Sequence, residues 1–137
     1  MKVINKDLLQ DVCKKALESP RLRMNYNLHD SLEAKAQKLL NALQKGTILP
    51  VHRHTHTSET YIILQGKIKV MIYSGDRDAK GNLIEKQSVI LSPDSNMGIE
   101  IAANEWHTLE VMEDNSVIFE VKEGPYTPLS ADDILEN

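Results

Sequence analysis

The chain predicts an all-β protein, an antiparallel sandwich or barrel, with one α-helix before it and a short helical turn after it. Three observations lead there. From residue 59 onward short apolar or alternating runs follow one another (TYIILQ, GKIKVMIY, LIEKQSVIL, GIEIAAN, WHTLEVM and VIFEVKE), separated by polar loops such as SGDRDAKGN, SPDSN and EDNS; many short strands at such spacing build sandwiches and barrels. Sustained helical periodicity of apolar residues is clear only near the start. In between, GTILPVHRHTHTSETYIILQG places His52, His54 and His56 at alternate positions, the period that puts side chains on one face of an extended strand.

Taken in order, Asn5 can cap a helix over residues 6–19, with Pro20 just past its end. Leu8, Leu9, Val12, Cys13, Ala16 and Leu17 recur at helical spacing and give one apolar face. PRLRMNYNLHD, residues 20–30, has no helical pattern and reads as loop or short strand. Residues 32–46, LEAKAQKLLNALQKG, have the composition of a helix but lie directly before the histidine-bearing segment, where pairing can impose a strand. In GKIKVMIY, Ile68, Val70 and Ile72 alternate with Lys67, Lys69 and Met71. The tail GPYTPLSADDILEN begins irregularly, and Ser130 with Asp133 resembles a capping box for a last short helix.

With 137 residues, the chain suits a single domain. The expected layout is an N-terminal helix and lid-like segment (1–30), a β-barrel (31–123) and a C-terminal tail (124–137). A net charge of −4 without a basic cluster argues against nucleic acid as a partner. No apolar run approaches the roughly 20 residues of a membrane helix. The start, MKVINKDLLQ, lacks signal-peptide features. The one cysteine, Cys13, cannot form an internal disulfide, which fits a reducing compartment; a cytoplasmic location is expected.

Three imidazoles and the nearby Glu59 are ligands that divalent first-row metals favour. The same stretch resembles the first motif of the cupin superfamily, G-x5-H-x-H-x4-E-x6-G, matched by Gly46, His52, His54, Glu59 and Gly66. IAANEWH, residues 101–107, resembles the second motif and offers His107; Ala102 and Asn104 stand where proline and glycine are common, and Asn tolerates the left-handed backbone such a turn needs. Val111 stands where that motif often has Asn. Over nearly the whole chain, PRLRMNYNLH, GTILPVHRHTH, ETYIILQGKI, EWHTLEV and VIFEVKEGPYTPL look like the WbuC family of cupin-fold metalloproteins, a family associated with bacterial surface-polysaccharide (O-antigen) gene clusters.

The resemblance implies a cupin-type double-stranded β-helix in which residues 37–43 form a strand. It implies that His52, His54, Glu59 and His107 bind one divalent transition metal (Zn, Fe, Mn, Ni or Cu), with a position left open. His56 is expected beside the metal as a pocket group, ahead of a replacement ligand. Arg21, Arg23, Asn27 and His29, folded over the barrel mouth, would meet an anionic or sugar-like small molecule, with Tyr61 and, more weakly, Tyr126 also lining the pocket. Trp106, next to His107, is expected to pack in the core. The implied function is a metal-dependent enzyme of surface-polysaccharide sugar metabolism whose reaction the family does not establish, an isomerase or epimerase being one candidate. The alternatives are an oxygenase on another small molecule and a binding protein without turnover. Cupins often pair through their sheets, so a homodimer is expected.

Overall fold

The computed structural model describes residues 1–136. Helix α1 spans Lys6–Glu18, and the Asn5 side chain accepts a hydrogen bond from the Leu8 amide at 2.9 Å, satisfying one of the orphan donors of the first turn. Leu9, Val12, Cys13 and Ala16 are buried, whereas Leu17 stays 64% exposed, so the apolar face is narrower than the sequence pattern implied.

Ten strands follow: β1 (Arg23–Asn27), β2 (Ala36–Leu43), β3 (Val51–His52), β4 (Glu59–Gln65), β5 (Ile68–Arg77), β6 (Leu83–Leu91), β7 (Gly98–Ile101), β8 (Trp106–Val111), β9 (Ser116–Glu123) and β10 (Ile134–Leu135). They form two five-stranded sheets, ordered β1-β2-β9-β4-β7 and β10-β3-β8-β5-β6. Every strand pair is antiparallel. Between the sheets lies an aliphatic core that includes Leu43, Ile63, Ile68, Val70, Ile101, Leu109 and Ile118.

Segment 36–43 is a strand despite its helical composition. It is the second strand of its sheet, paired with β1 on one side and β9 on the other. Both of its faces are covered: α1 packs over Leu40 and Ala42, and Leu43 joins the inter-sheet core. A strand buried on both faces has no polar alternation to announce it, and tertiary pairing overrides a weak propensity.

Two further departures have local causes. The β5–β6 hairpin runs deeper into SGDRDAKGN than the glycines suggest, and its turn is held by Asp78 Oδ1, which accepts from the amides of Lys80 (2.8 Å) and Asn82 (2.9 Å). At the C-terminus, the Ser130 hydroxyl donates to the Asp133 carboxylate at 3.3 Å and does not cap the backbone. The outcome is one 3-10 turn, Ala131–Asp133, followed by β10, which pairs Ile134 with His52 and Leu135 with Val51. Among the described residues, no helix is long and apolar enough to cross a membrane.

Leu40 is fully buried between β2 and α1. Leu40→Ala is expected to lower stability by about 2–5 kcal/mol, read as a drop in the urea midpoint with an unchanged slope.

Candidate metal centre

The two sheets meet in four side chains at one end of the sandwich. His52 closes β3 and pairs across with His107 of β8, ring centroids 4.3 Å apart. His54 follows in the bend after β3, where its carbonyl accepts from the Asn104 amide at 2.7 Å. Asn104 has φ 71°, so it takes the left-handed backbone expected of it. Glu59 opens β4 in the opposite sheet, 3% exposed. One ligating atom from each of His52, His54, Glu59 and His107 lies within 4.8 Å of the others. Strand β3 ends at His52, so the three alternate histidines do not share one extended face; His56 is exposed and lines the cavity mouth outside the cluster.

Hydrogen bonds to backbone carbonyls set the tautomers. His52 Nδ1 lies 3.0 Å from the Pro50 carbonyl, and His107 Nδ1 lies 2.8 Å from that of Glu105. Carbonyl oxygens only accept, so each Nδ1 carries the hydrogen and each Nε2 presents a lone pair. Yet His107 Nε2 stands 2.9 Å from Glu59 Oε2, and His54 Nε2 3.2 Å from Glu59 Oε1. Two acceptors at that range need a proton or a cation between them. One divalent ion, with bonds of about 2.1 Å to imidazole and carboxylate, answers all four atoms at once. The residues therefore fit a metal.

The electrostatics prepare the same set. Burial, and then the neighbouring His107, push the His52 imidazole down to about 4, so it is neutral and ready to ligate at ordinary pH. Where protons rather than a cation occupy those gaps, burial alone pushes Glu59 up, but hydrogen bonding with His107 and His54 and their charges outweigh it and hold the carboxyl well below the usual range. Lys122 Nζ lies 3.5 Å from Glu59 Oε1, and the Tyr61 hydroxyl donates to Oε2 at 3.1 Å. Burial, with Glu59 adding to it, keeps the Tyr61 phenol protonated.

The cluster forms one wall of a cavity of about 240 Å³, below the roughly 300–1,000 Å³ of drug-sized pockets. Arg21, Arg23, Tyr61 and Tyr126 also line it. Arg23 Nη1 donates to the Ile48 carbonyl at 3.0 Å, which fixes the side chain. Asn27 and His29 do not line the cavity; Asn25 does, from the same strand face as Arg23. His29 is occupied elsewhere, its Nδ1 accepting from the Lys38 amide at 3.0 Å. Trp106 points away from the site, its half-buried ring stacked under the Arg53 guanidinium at 4.5 Å. Arg53, between His52 and His54, is clamped further by Asp133, through its amide (3.1 Å) and its Nε (3.0 Å). The C-terminal segment thus holds the histidine strand.

Asn41, Glu120 and Lys122 are among the cavity residues that were not legible in the sequence. They sit in strands whose inward positions emerge only once the register is known. Glu120 pairs with Leu39 on one side and Tyr61 on the other. Burial, and then the Glu59 charge, push its carboxyl up to about 7.

The strands form a cupin-type fold, and these four side chains form a candidate metal site at one end of it. Solved structures agree on the fold: KdgF from Halomonas sp. (TM-score 0.58, 14% identity, 80% of this chain and 84% of that one) and a cupin superfamily protein from Desulfitobacterium hafniense (0.54, 16%, 74% and 76%). The capsular polysaccharide assembling protein CapF from Staphylococcus aureus matches over 80% of this chain, at 0.63 and 17% identity; the match spans 30% of CapF. No curated protein matches by sequence. The chain belongs to the family described as Domain of unknown function (DUF6016), whose model matches residues 4–89.

Elemental analysis of protein purified without chelators is expected to give about one transition metal per chain, lost in His54→Ala and on acidification as the imidazoles protonate. In metal-free protein, Glu120 has a pH signature of its own. Its folded pKa lies above the ordinary carboxylate value, so the unfolded chain releases that proton first and stability falls as pH rises from about 4.5 through about 7. Glu120→Gln is expected to remove this loss, on the order of 3 kcal/mol, seen as a higher urea midpoint than the parent at pH 8 and a smaller difference at pH 5.

Proposed function

We propose that this protein is a metal-dependent cupin acting on a small sugar-like molecule with an anionic group, in bacterial surface-polysaccharide metabolism. One observation carries the reading: Arg21 and Arg23 line the same cavity as the four-ligand cluster. Guanidinium forks match phosphate and carboxylate oxygens, so a ligand gripped there reaches toward the metal position. The sequence resemblance to the WbuC family supports the polysaccharide context, and so does the fold shared with a protein named for capsular polysaccharide assembly.

A bound divalent metal supplies Lewis-acid polarisation of an oxygen on the ligand. The chain's own residues do the rest. Glu59 and the three histidines hold the metal position, and Tyr61 and Lys122 steady the Glu59 carboxylate. Arg21 and Arg23 orient the anionic end. His56 at the mouth offers one more polar contact to an entering ligand. An isomerase or epimerase would use this arrangement for a polarised oxygen and a fixed substrate orientation, and would need in addition a side chain that moves the proton. The same reading includes a homodimer; Ile84 and Ile90, exposed on β6, are apolar side chains that such a contact would cover.

Arg21→Ala and Arg23→Ala are each expected to weaken binding of sugar 1-phosphates by about tenfold or more, the range of a charged hydrogen bond, while metal content stays at the parent level. Isothermal titration of the metal-loaded proteins decides this. Parent-like affinity in both variants would sink the anion grip.

A further inference from the structure

Asn41 sits on the inner face of β2 between Leu39 and Leu43. It is 8% exposed, it lines the cavity, and its Oδ1 has no hydrogen-bond partner in the protein. An Asn placed only to stiffen a sheet would have its oxygen satisfied, because leaving a buried acceptor unpaired forfeits its hydration. Its amide faces Glu120, which is also 8% exposed and lines the cavity. Glu120 lies one register step from the metal site: Glu59 pairs with Lys122, and Tyr61 with Glu120.

These atoms call for hydrogen donors. Asn41 Oδ1 accepts only, and Glu120 offers acceptor oxygens whenever it is ionised. Phosphate or carboxylate oxygens bring no hydrogen to Asn41. An ammonium group does, but it competes with Arg21, Arg23 and Lys122 for the carboxylates of Glu59, Glu120 and Glu123 that line the same cavity. Hydroxyl groups satisfy both requirements, since they donate to Asn41 and either donate to Glu120 or accept from its protonated form. We propose that Asn41 and Glu120 form a hydroxyl-reading subsite beside the metal centre, selecting a ligand that carries neighbouring hydroxyls in addition to its anionic group. This rests on the anion reading of Arg21 and Arg23 and adds the half of the ligand that those arginines do not read.

The test compares inorganic phosphate with glucose 1-phosphate, galactose 1-phosphate and mannose 1-phosphate, titrated into metal-loaded protein by calorimetry. At least one sugar phosphate is expected to bind tenfold or more tighter than phosphate. Asn41→Leu should bring that ratio to within about threefold of unity without changing phosphate affinity or metal content, and Glu120→Gln should reduce it by a smaller factor. Asn41→Leu removes an unpaired acceptor but adds volume at a buried position, so its folding is checked by thermal melting. If it fails to fold, Glu120→Gln and Asn41→Ala carry the comparison. Phosphate binding with no preference for any sugar phosphate, or a preference unchanged in the variants, overturns the hydroxyl subsite alone. Failure of the parent to bind any of the four probes overturns the anion reading itself, and this subsite with it.

Discussion

A buried carboxylate is the constraint on which this structure turns. Glu59 is almost wholly removed from water, and an isolated charge in such a place is penalised by several kcal/mol even after the protein relaxes. It is tolerated because His54, His107, Lys122 and Tyr61 converge on its two oxygens. Those partners come from both sheets and from the bend after β3, so satisfying one carboxylate fixes how the sheets close at that end. The candidate metal centre and the sandwich are the same piece of architecture seen from two sides.

The chain around it is arranged to hold the histidine strand. Strand β3 is only Val51–His52, too short to hold its place alone. It is fastened by His107 on one side and by β10 on the other, and Arg53 is locked between Asp133 and the face of Trp106. A tail that looks irregular in sequence therefore acts at the candidate metal site by fixing Arg53, between His52 and His54. At the opposite end of the same sheets, Gly66 lies directly against Ser116, where a Cβ would collide with backbone and side chain alike, so the motif's last glycine is required by close approach as well as by its positive φ.

Much of this was visible in the order of residues, for identifiable reasons. The four cluster residues stood out because metal-ligating side chains at fixed spacing are rare by chance and local in sequence, with His107 the exception that needed the second motif. The strands after residue 59 announced themselves by alternation. Segment 36–43 did not, because burial on both faces erases alternation and leaves a string of Leu, Ala and Gln that favours a helix in isolation. Asn41, Glu120 and Lys122 were hidden for a related reason. Each is a polar residue in a mixed strand, and only the cross-strand register aims it at the cavity. Asn27 and His29 illustrate the reverse. Their residue types suited a binding loop, but β1 directs Arg23 and Asn25 to the cavity, and Lys38 engages His29.

The register also explains why one fold can carry both a stable core and so polar a cavity. Along β2 and β9 the inward positions change character within a few residues, from Leu43 and Ile118 in the core to Asn41, Gln37, Glu120 and Lys122 around the cavity. The apolar half supplies the burial that holds the sheets together. The polar half weakens that hold, because Glu120 is desolvated and the cluster's acceptors face one another. A cation between the imidazoles and Glu59 would remove the conflict there and, by binding the folded form better than the unfolded one, would link metal to fold. Its positive field would also favour ionised Glu120, making that group an acceptor available to a ligand.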